Sequence, residues 1–254
     1  MKKRSAFAPG ARRVTVAIAT IAGLMGLMPS SAHAKPGQQS GVFTAPYSRG
    51  NPGTVTDCFA GADVCSATAT GGAAGIFDVA SEVTRNDPTA EGELDIAYGF
   101  ANASQSIKVP KGAAQVTVTM SFHATDMKTS AGASRGRASA ALLVFADARS
   151  DYCTSESECT ATQGSATLAR SSDSGGLPSP SDGVGPDAAV TLTITAPAGS
   201  ALPTRPLFVI GSAVSISSLA NEPSCLTCVA LGGRAGSASS SARISLDQMR
   251  VTFP

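Results

Sequence analysis

From Gln115 to Thr125 the chain reads QVTVTMSFHAT, with apolar and polar residues changing places at every step. Val116, Val118, Met120 and Phe122 fall on one side of an extended backbone, and Thr117, Thr119, Ser121 and His123 on the other. Only a strand turns successive side chains to opposite faces, so this spacing calls for a sheet with one dry face and one wet face. The alternation recurs. Val190, Leu192 and Ile194 interleave with Thr191, Thr193 and Thr195; Phe77, Val79 and Val83 interleave with Asp78, Ala80 and Glu82. In ELDIAYGF the same rule turns Leu94, Ile96, Tyr98 and Phe100 toward a core and leaves Glu93, Asp95, Ala97 and Gly99 on the wet side. Threonine suits the wet positions because its branched Cβ fits the pleat. No stretch of ten or more residues carries apolar side chains at helical spacing between caps.

Two runs are apolar on both faces, AALLVFA at 140–146 and PLFVIGSAVSI at 206–216, and these are expected to be central strands. The final segment ARISLDQMRVTF changes phase between Leu246 and Met249, which a β-bulge at Asp247–Gln248 would explain. Gly, Pro, Ser and Asp fill the gaps between strands; SSDSGGLPSPSDGVGP, 171–186, is expected to be a mobile loop. Residues 35–53 are expected to form a loose arm, with a first strand near Val42–Tyr47. Roughly eight to ten antiparallel strands without helices make the fold class all-β: a single antiparallel β-sandwich, jelly-roll-like, over residues 54–254.

The first 34 residues have the layout of a secretory leader. Lys2, Lys3, Arg4, Arg12 and Arg13 precede the apolar run Val14–Met28, and Ala32-His33-Ala34 supplies a small-x-small cleavage site. The run is shorter than the about 20 residues that a bilayer span needs. Arg12-Arg13 leaves the twin-arginine route open beside the general one. Five of the 19 basic residues and none of the 18 acidic ones lie in this leader, so the remainder carries a net charge of −4. That balance offers no nucleic-acid surface. No second long apolar run follows, so no membrane span is expected after the leader is removed. Localisation is therefore expected to be extracellular or in the envelope.

All six cysteines follow the leader, in three close pairs: Cys58 with Cys65, Cys153 with Cys159, and Cys225 with Cys228. Export favours oxidation, and three local disulfides are the simplest pairing, although 15 connectivities are open to six cysteines.

The segment SQSIKVPKGAAQVTVTMSFHA, 104–124, resembles galactose-binding-like jelly-roll domains of the carbohydrate-binding-module type, in which a Gln-x-Ile/Val strand is followed by a Pro-x-Gly turn and a core strand. The ending ARISLDQMRVTF is similar to their last strand, with Asp247 at the acidic position. The resemblance covers about a seventh of the chain beyond the leader. It implies a non-catalytic sandwich, a structural calcium and a sugar site. The chain departs from the pattern in its aromatic content. It has no tryptophan, and only Tyr47, Tyr98 and Tyr152 as tyrosines, with Tyr98 expected in the core. Sugar rings are gripped mainly by stacking on aromatic faces.

Candidate chemistry is sparse. Cys225-Leu-Thr-Cys228 follows Pro223 and leads to Gly-Gly, not to a helix that would stabilise a thiolate, so a structural disulfide is favoured over redox or zinc chemistry. Gly132-Ala-Ser134-Arg-Gly136 fits the nucleophile-elbow spelling, but a polar stretch precedes it, a strand follows, and no histidine comes after it. His123, on a wet strand face near Asp126, reads as a solvated histidine. Asp87, Glu91, Glu93 and Asp95 cluster; Glu93 and Asp95 share a strand face and with Asp247 are candidate calcium ligands, while as a carboxylate pair they would serve a hydrolase. Asp173, Asp182 and Asp187 lie in or beside the long loop, and Arg135 and Arg137 flank its glycine-rich neighbour as candidate anion contacts. No catalytic residue is assigned. The function expected is that of an exported, non-catalytic sandwich that binds a surface component, a polysaccharide or a cell-surface protein. The alternatives are a self-assembling envelope protein without a small ligand, and a secreted hydrolase.

Overall fold

A computed structural model describes residues 41–58, 62–86, 94–174, 177–179, 185–220 and 235–254, which belong to one compact unit. Every regular element among them is a strand. In chain order these are β1 (Gly41–Phe43), β2 (Arg49–Asp57), β3 (Val64–Gly71), β4 (Ile76–Arg85), β5 (Leu94–Ile107), β6 (Gln115–Arg135), β7 (Arg137–Ala148), β8 (Thr160–Thr162), β9 (Gly164–Ser174), β10 (Leu177–Ser179), β11 (Asp187–Thr195), β12 (Leu207–Ala220) and β13 (Ala235–Thr252).

All pairing is antiparallel, and it nests. β4 pairs with β13, β5 with β12, β6 with β11, and β7 with β9, as if one long hairpin had been rolled up. Rolling deals the members alternately to two sheets. One runs β3-β4-β13-β6-β11-β8 with β1 also on β13; the other runs β10-β9-β7-β12-β5-β2. The four central strands of each, β4-β13-β6-β11 and β5-β12-β7-β9, are in jelly-roll order. β7 and β12, the runs apolar on both faces, are central as expected. The phase change in β13 is a register shift between Leu246 and Gln248, where Asp247 is the extra residue.

Several segments depart from the expectations. Residues 125–131, the polar stretch that precedes the elbow spelling, continue β6 along the serine-rich half of β13. A second register shift, with Asp126 at φ 54°, absorbs the irregularity. Residues 171–174 extend β9, and β10 folds back on it, so part of the expected mobile loop is sheet. Residues 41–43 pair with β13 and 49–53 with β5, so the latter half of the expected arm belongs to the sandwich.

The main correction concerns β5, which is turned over. Its inner face is Asp95, Ala97, Gly99, Ala101 and Ala103, all buried, while Leu94, Tyr98 and Phe100 look outward. Tyr98 is thus half-buried on the outer face and not in the core. The reason is thickness. A Cβ on Gly99 would lie 2.2 Å from the Thr68 carbonyl oxygen and 2.8 Å from that of Ala80, so the opposite sheet comes too close for large side chains.

The interior accordingly has two ends. At the wide end Phe77, Met120, Phe122, Leu142, Leu192 and Leu246 form an apolar core. At the narrow end the fill is small, with Ala97, Ala138, Ala140 and Ala238 around Val83 and Leu219. Four buried serines bridge the sheets there. Ser81 Oγ lies 2.8 Å from Ser215 Oγ and 2.9 Å from Ser217 Oγ, and Ser215 donates to the Ser240 carbonyl at 2.8 Å. Beyond them Arg85 and Asp95, both with no exposed side-chain surface, join β4 to β5 through paired contacts of 3.0 and 3.2 Å.

Candidate functional site

Two of the expected cysteine pairs are disulfides. Cys58–Cys65 ties the end of β2 to the start of β3, where the edges of the two sheets meet. Cys153–Cys159 closes a turn-rich loop before β8. Two such bonds fit an oxidising, extracellular setting. Cys225 and Cys228 lie outside the described residues, as do Asp87, Glu91, Glu93 and Asp182.

The Cys153–Cys159 loop is braced from the β11–β12 connection by Arg205. Its Nη2 donates to Glu158 Oε2 at 2.7 Å, its Nη1 to Glu158 Oε1 at 3.2 Å, and its Nε to the Tyr152 carbonyl at 3.1 Å. The guanidinium also stands 5.6 Å from the Tyr152 ring centre. The Arg205 bonds, with those from the Thr154 hydroxyl and amide, hold the Glu158 carboxyl down to a pKa of about 2. Tyr152 is buried, its hydroxyl donates to the Pro203 carbonyl, and burial pushes its pKa up to about 12. Every polar group in this cluster is spent on holding the loop, so it reads as a brace.

The carboxylates disperse. Asp95 is inside the sandwich as the counter-ion of Arg85, both oxygens engaged. Asp247 is exposed in the β13 bulge and accepts from Ser245 Oγ at 2.7 Å. Of the candidate calcium ligands, Asp95 is thus committed to a guanidinium within the core while Asp247 faces solvent. Among the described residues no three His, Cys, Asp or Glu side chains gather as a metal would require. Asp173 caps the Ala133 amide at 3.0 Å. Ser134 lies one residue before the end of β6 and donates to the Ala235 carbonyl, and a strand follows, so the elbow spelling sits in a strand–turn–strand. Arg137 is exposed on β7. His123 contacts Asp187 and not Asp126: Nδ1 is 2.7 Å from Asp187 Oδ1, on adjacent strands with both side chains substantially exposed.

What the sheet assembles instead is a field of hydroxyls. Residues directly opposite in antiparallel strands share a face. The registers therefore set Thr252, Thr117, Thr193 and Thr162 in one row across β13, β6, β11 and β8. The neighbouring rows are Gln115, Thr195, Thr160 on one side and Arg250, Thr119, Thr191 on the other. Lanes are about 4.8 Å apart and rows about 6.8 Å apart by sheet geometry. Few internal bonds consume these groups. Thr119 and Thr191 touch at 3.4 Å, Gln115 Nε2 donates to Thr117 Oγ1 at 3.3 Å, and Thr252 Oγ1 donates to the Thr117 carbonyl at 3.4 Å. Thr160, Thr162, Thr191, Thr195 and Thr252 are exposed. The field runs on through Ser121 to the His123–Asp187 pair and Ser245.

Sequence reasoning places Thr117, Thr119, Thr191, Thr193 and Thr195 on wet faces, but it does not reach Thr160, Thr162 or Thr252 and does not make neighbours of segments some 70 positions apart. The matching phases of VTVT at 116–119 and TLTIT at 191–195 were the available signal. Compared with known proteins, the sequence matches no family model and no curated sequence.

Proposed function

We propose that this is an exported, non-catalytic sandwich that binds a polysaccharide through the threonine face of its seven-stranded sheet. The observation that carries the reading is the three-row threonine field. Each hydroxyl is one donor and two acceptor sites, and each methyl is a small apolar contact. A sugar polymer presents the same mixture, repeated. Single hydrogen bonds contribute only about 0.5–1.5 kcal/mol, but a polymer engages several rows at once. Such a face grips by repetition and needs no stacking aromatic, which suits a chain without tryptophan. The hydrolase alternative draws little support, because Asp95 is taken up by Arg85.

The test is retention on a panel of insoluble cell-wall and matrix polysaccharides, wild type against Thr117→Val/Thr193→Val/Thr252→Val. Valine keeps the shape and the strand preference while deleting the hydroxyls. Retention of the wild type and a loss of about tenfold or more in the variant are expected, since three hydrogen bonds of this strength are removed. Equal retention of the two, or none of either on the whole panel, would end the reading.

A further inference from the structure

Two exposed arginines, Arg243 and Arg250, share the outer face of β13. Their odd separation keeps them on one face only because the bulge at Asp247 adds a residue between them. Their neighbours differ. Arg243 lies directly opposite Asp78 of β4, and its Nη1 is 3.8 Å from Asp78 Oδ1. Arg250 lies between Val42 of β1 and Thr119 of β6, and it enters no ion pair among the described residues. Of the residues in the three threonine rows, Arg250 alone is charged. The sheet supplies a carboxylate for one arginine and leaves the other, within the hydroxyl field, to be matched from outside.

We infer that the polysaccharide is acidic, that it sets a sugar carboxylate on Arg250, and that it runs across the strands from β13 toward β8. The inference rests on the polysaccharide reading and narrows it to a uronate polymer. The planar guanidinium fork matches a carboxylate with two parallel hydrogen bonds, and the hydroxyls around that carboxylate on a sugar ring find threonines in the adjoining positions. Val42, 50% exposed at the β1 end of the same row, offers an apolar contact to the C–H side of the ring. The direction follows from where the acids lie. Along the strands, the row after Arg250 holds Gln248, Ser121 and Ala189, and the next holds Asp187, about 14 Å from Thr191, with Asp247 exposed in the bulge between. A polyanion laid along the strands would meet both carboxylates. Laid across them, it stays over threonines for the three strand spacings from β13 to β8, again about 14 Å. The net negative charge of the chain does not oppose this, because exposed charges beyond a Debye length of about 8 Å are largely screened at physiological salt.

Affinity electrophoresis in gels holding polygalacturonate or alginate, each beside the same polymer esterified at its carboxyl groups, tests it. Esterification removes the charge and keeps the backbone and its hydroxyls. The wild type is expected to bind at least one acid about tenfold more tightly than its ester, the increment of one charge-assisted pair, and added salt should shrink that gap. Arg250→Gln should close the gap to within about twofold, while Arg250→Lys, which keeps the charge, should preserve part of it. Thr162→Val, in the lane farthest from Arg250, should weaken binding of the acid about threefold. Equal binding of acid and ester, or a preference that survives Arg250→Gln, overturns the inference, and a threonine-dependent hold on neutral polymers would then leave the polysaccharide reading standing. Binding to no polymer ends both. Full binding by Thr162→Val overturns the path across the strands.

Discussion

The two ends of the interior solve one problem in opposite ways. At the wide end, large apolar side chains from both sheets interlock, and Phe122 and Leu192 are stabilised by surface removed from water. At the narrow end the backbones come too close for that, and what joins the sheets is directional. Hydroxyls from Ser81, Ser215, Ser217 and Ser240 bond across the gap, and one ion pair closes the end. Burial area tolerates small shifts, whereas a hydrogen-bonded network tolerates neither a missing partner nor a slipped register. The narrow end therefore fixes how the sheets sit, the wide end supplies most of the stability, and the thinness of the narrow end is also what turns Tyr98 and Phe100 outward.

The sharpest way to break this contrast is Asp95→Ala. It removes the carboxylate that balances the buried Arg85 guanidinium, and a loss of about 3–5 kcal/mol is expected. Chemical denaturation reads it directly. The double variant Arg85→Met/Asp95→Leu removes both charges at similar volume and is expected to recover most of that loss. Failure of the double variant to recover would mean that the pair contributes stability of its own and does more than set the register.

At the wide end Leu192→Ala should lose about 2–5 kcal/mol, centred below the ion-pair variant, because a cavity is left among side chains that relax only in part. No compensating second deletion exists there, since apolar contacts have no partner whose removal relieves a penalty. A second deletion that restored stability at this end would erase the distinction between the two.

The same division explains what could be foreseen. Strands whose inner face meets the wide end, such as β6 and β11, obey alternation, and their inner residues were legible from polarity alone. β5 defeated that rule because polarity does not report thickness. Its inner face is chosen by Gly99 and Ala101 fitting against β3 and β4, and by Asp95 reaching Arg85 ten positions earlier, both of which depend on strands brought together by the roll. The β13 bulge was legible, because an extra residue leaves a phase error in one strand. The strand character of 125–131 was not, because an exposed polar strand lying against serines carries no alternation. The threonine field was half legible: its faces follow from period two, but its rows follow from register, which is a property of pairs of segments.

The smallest effect separates the interior, at both ends, from the surface brace around Cys153–Cys159. Glu158 is held at about 2, well below its ordinary value of 4.5, first by its bonds to Arg205 and then by those from Thr154. A lowered folded-state value means that the brace contributes stability above the unfolded carboxyl range, and that the contribution fades as pH falls from about 5 through 2. Both partners are about a third exposed, so salt screens the pair and the contribution is modest. Melting temperatures of the wild type and Glu158→Gln should therefore differ slightly at pH 6, converge by about pH 2, and lie closer together in high salt. The Arg85–Asp95 pair, sealed from solvent, should show no comparable salt dependence when Asp95→Ala is compared with the wild type. If salt weakened both pairs alike, water would be reaching the narrow end, and the picture of two sheets locked there by dry, directional contacts would have to give way to an open one.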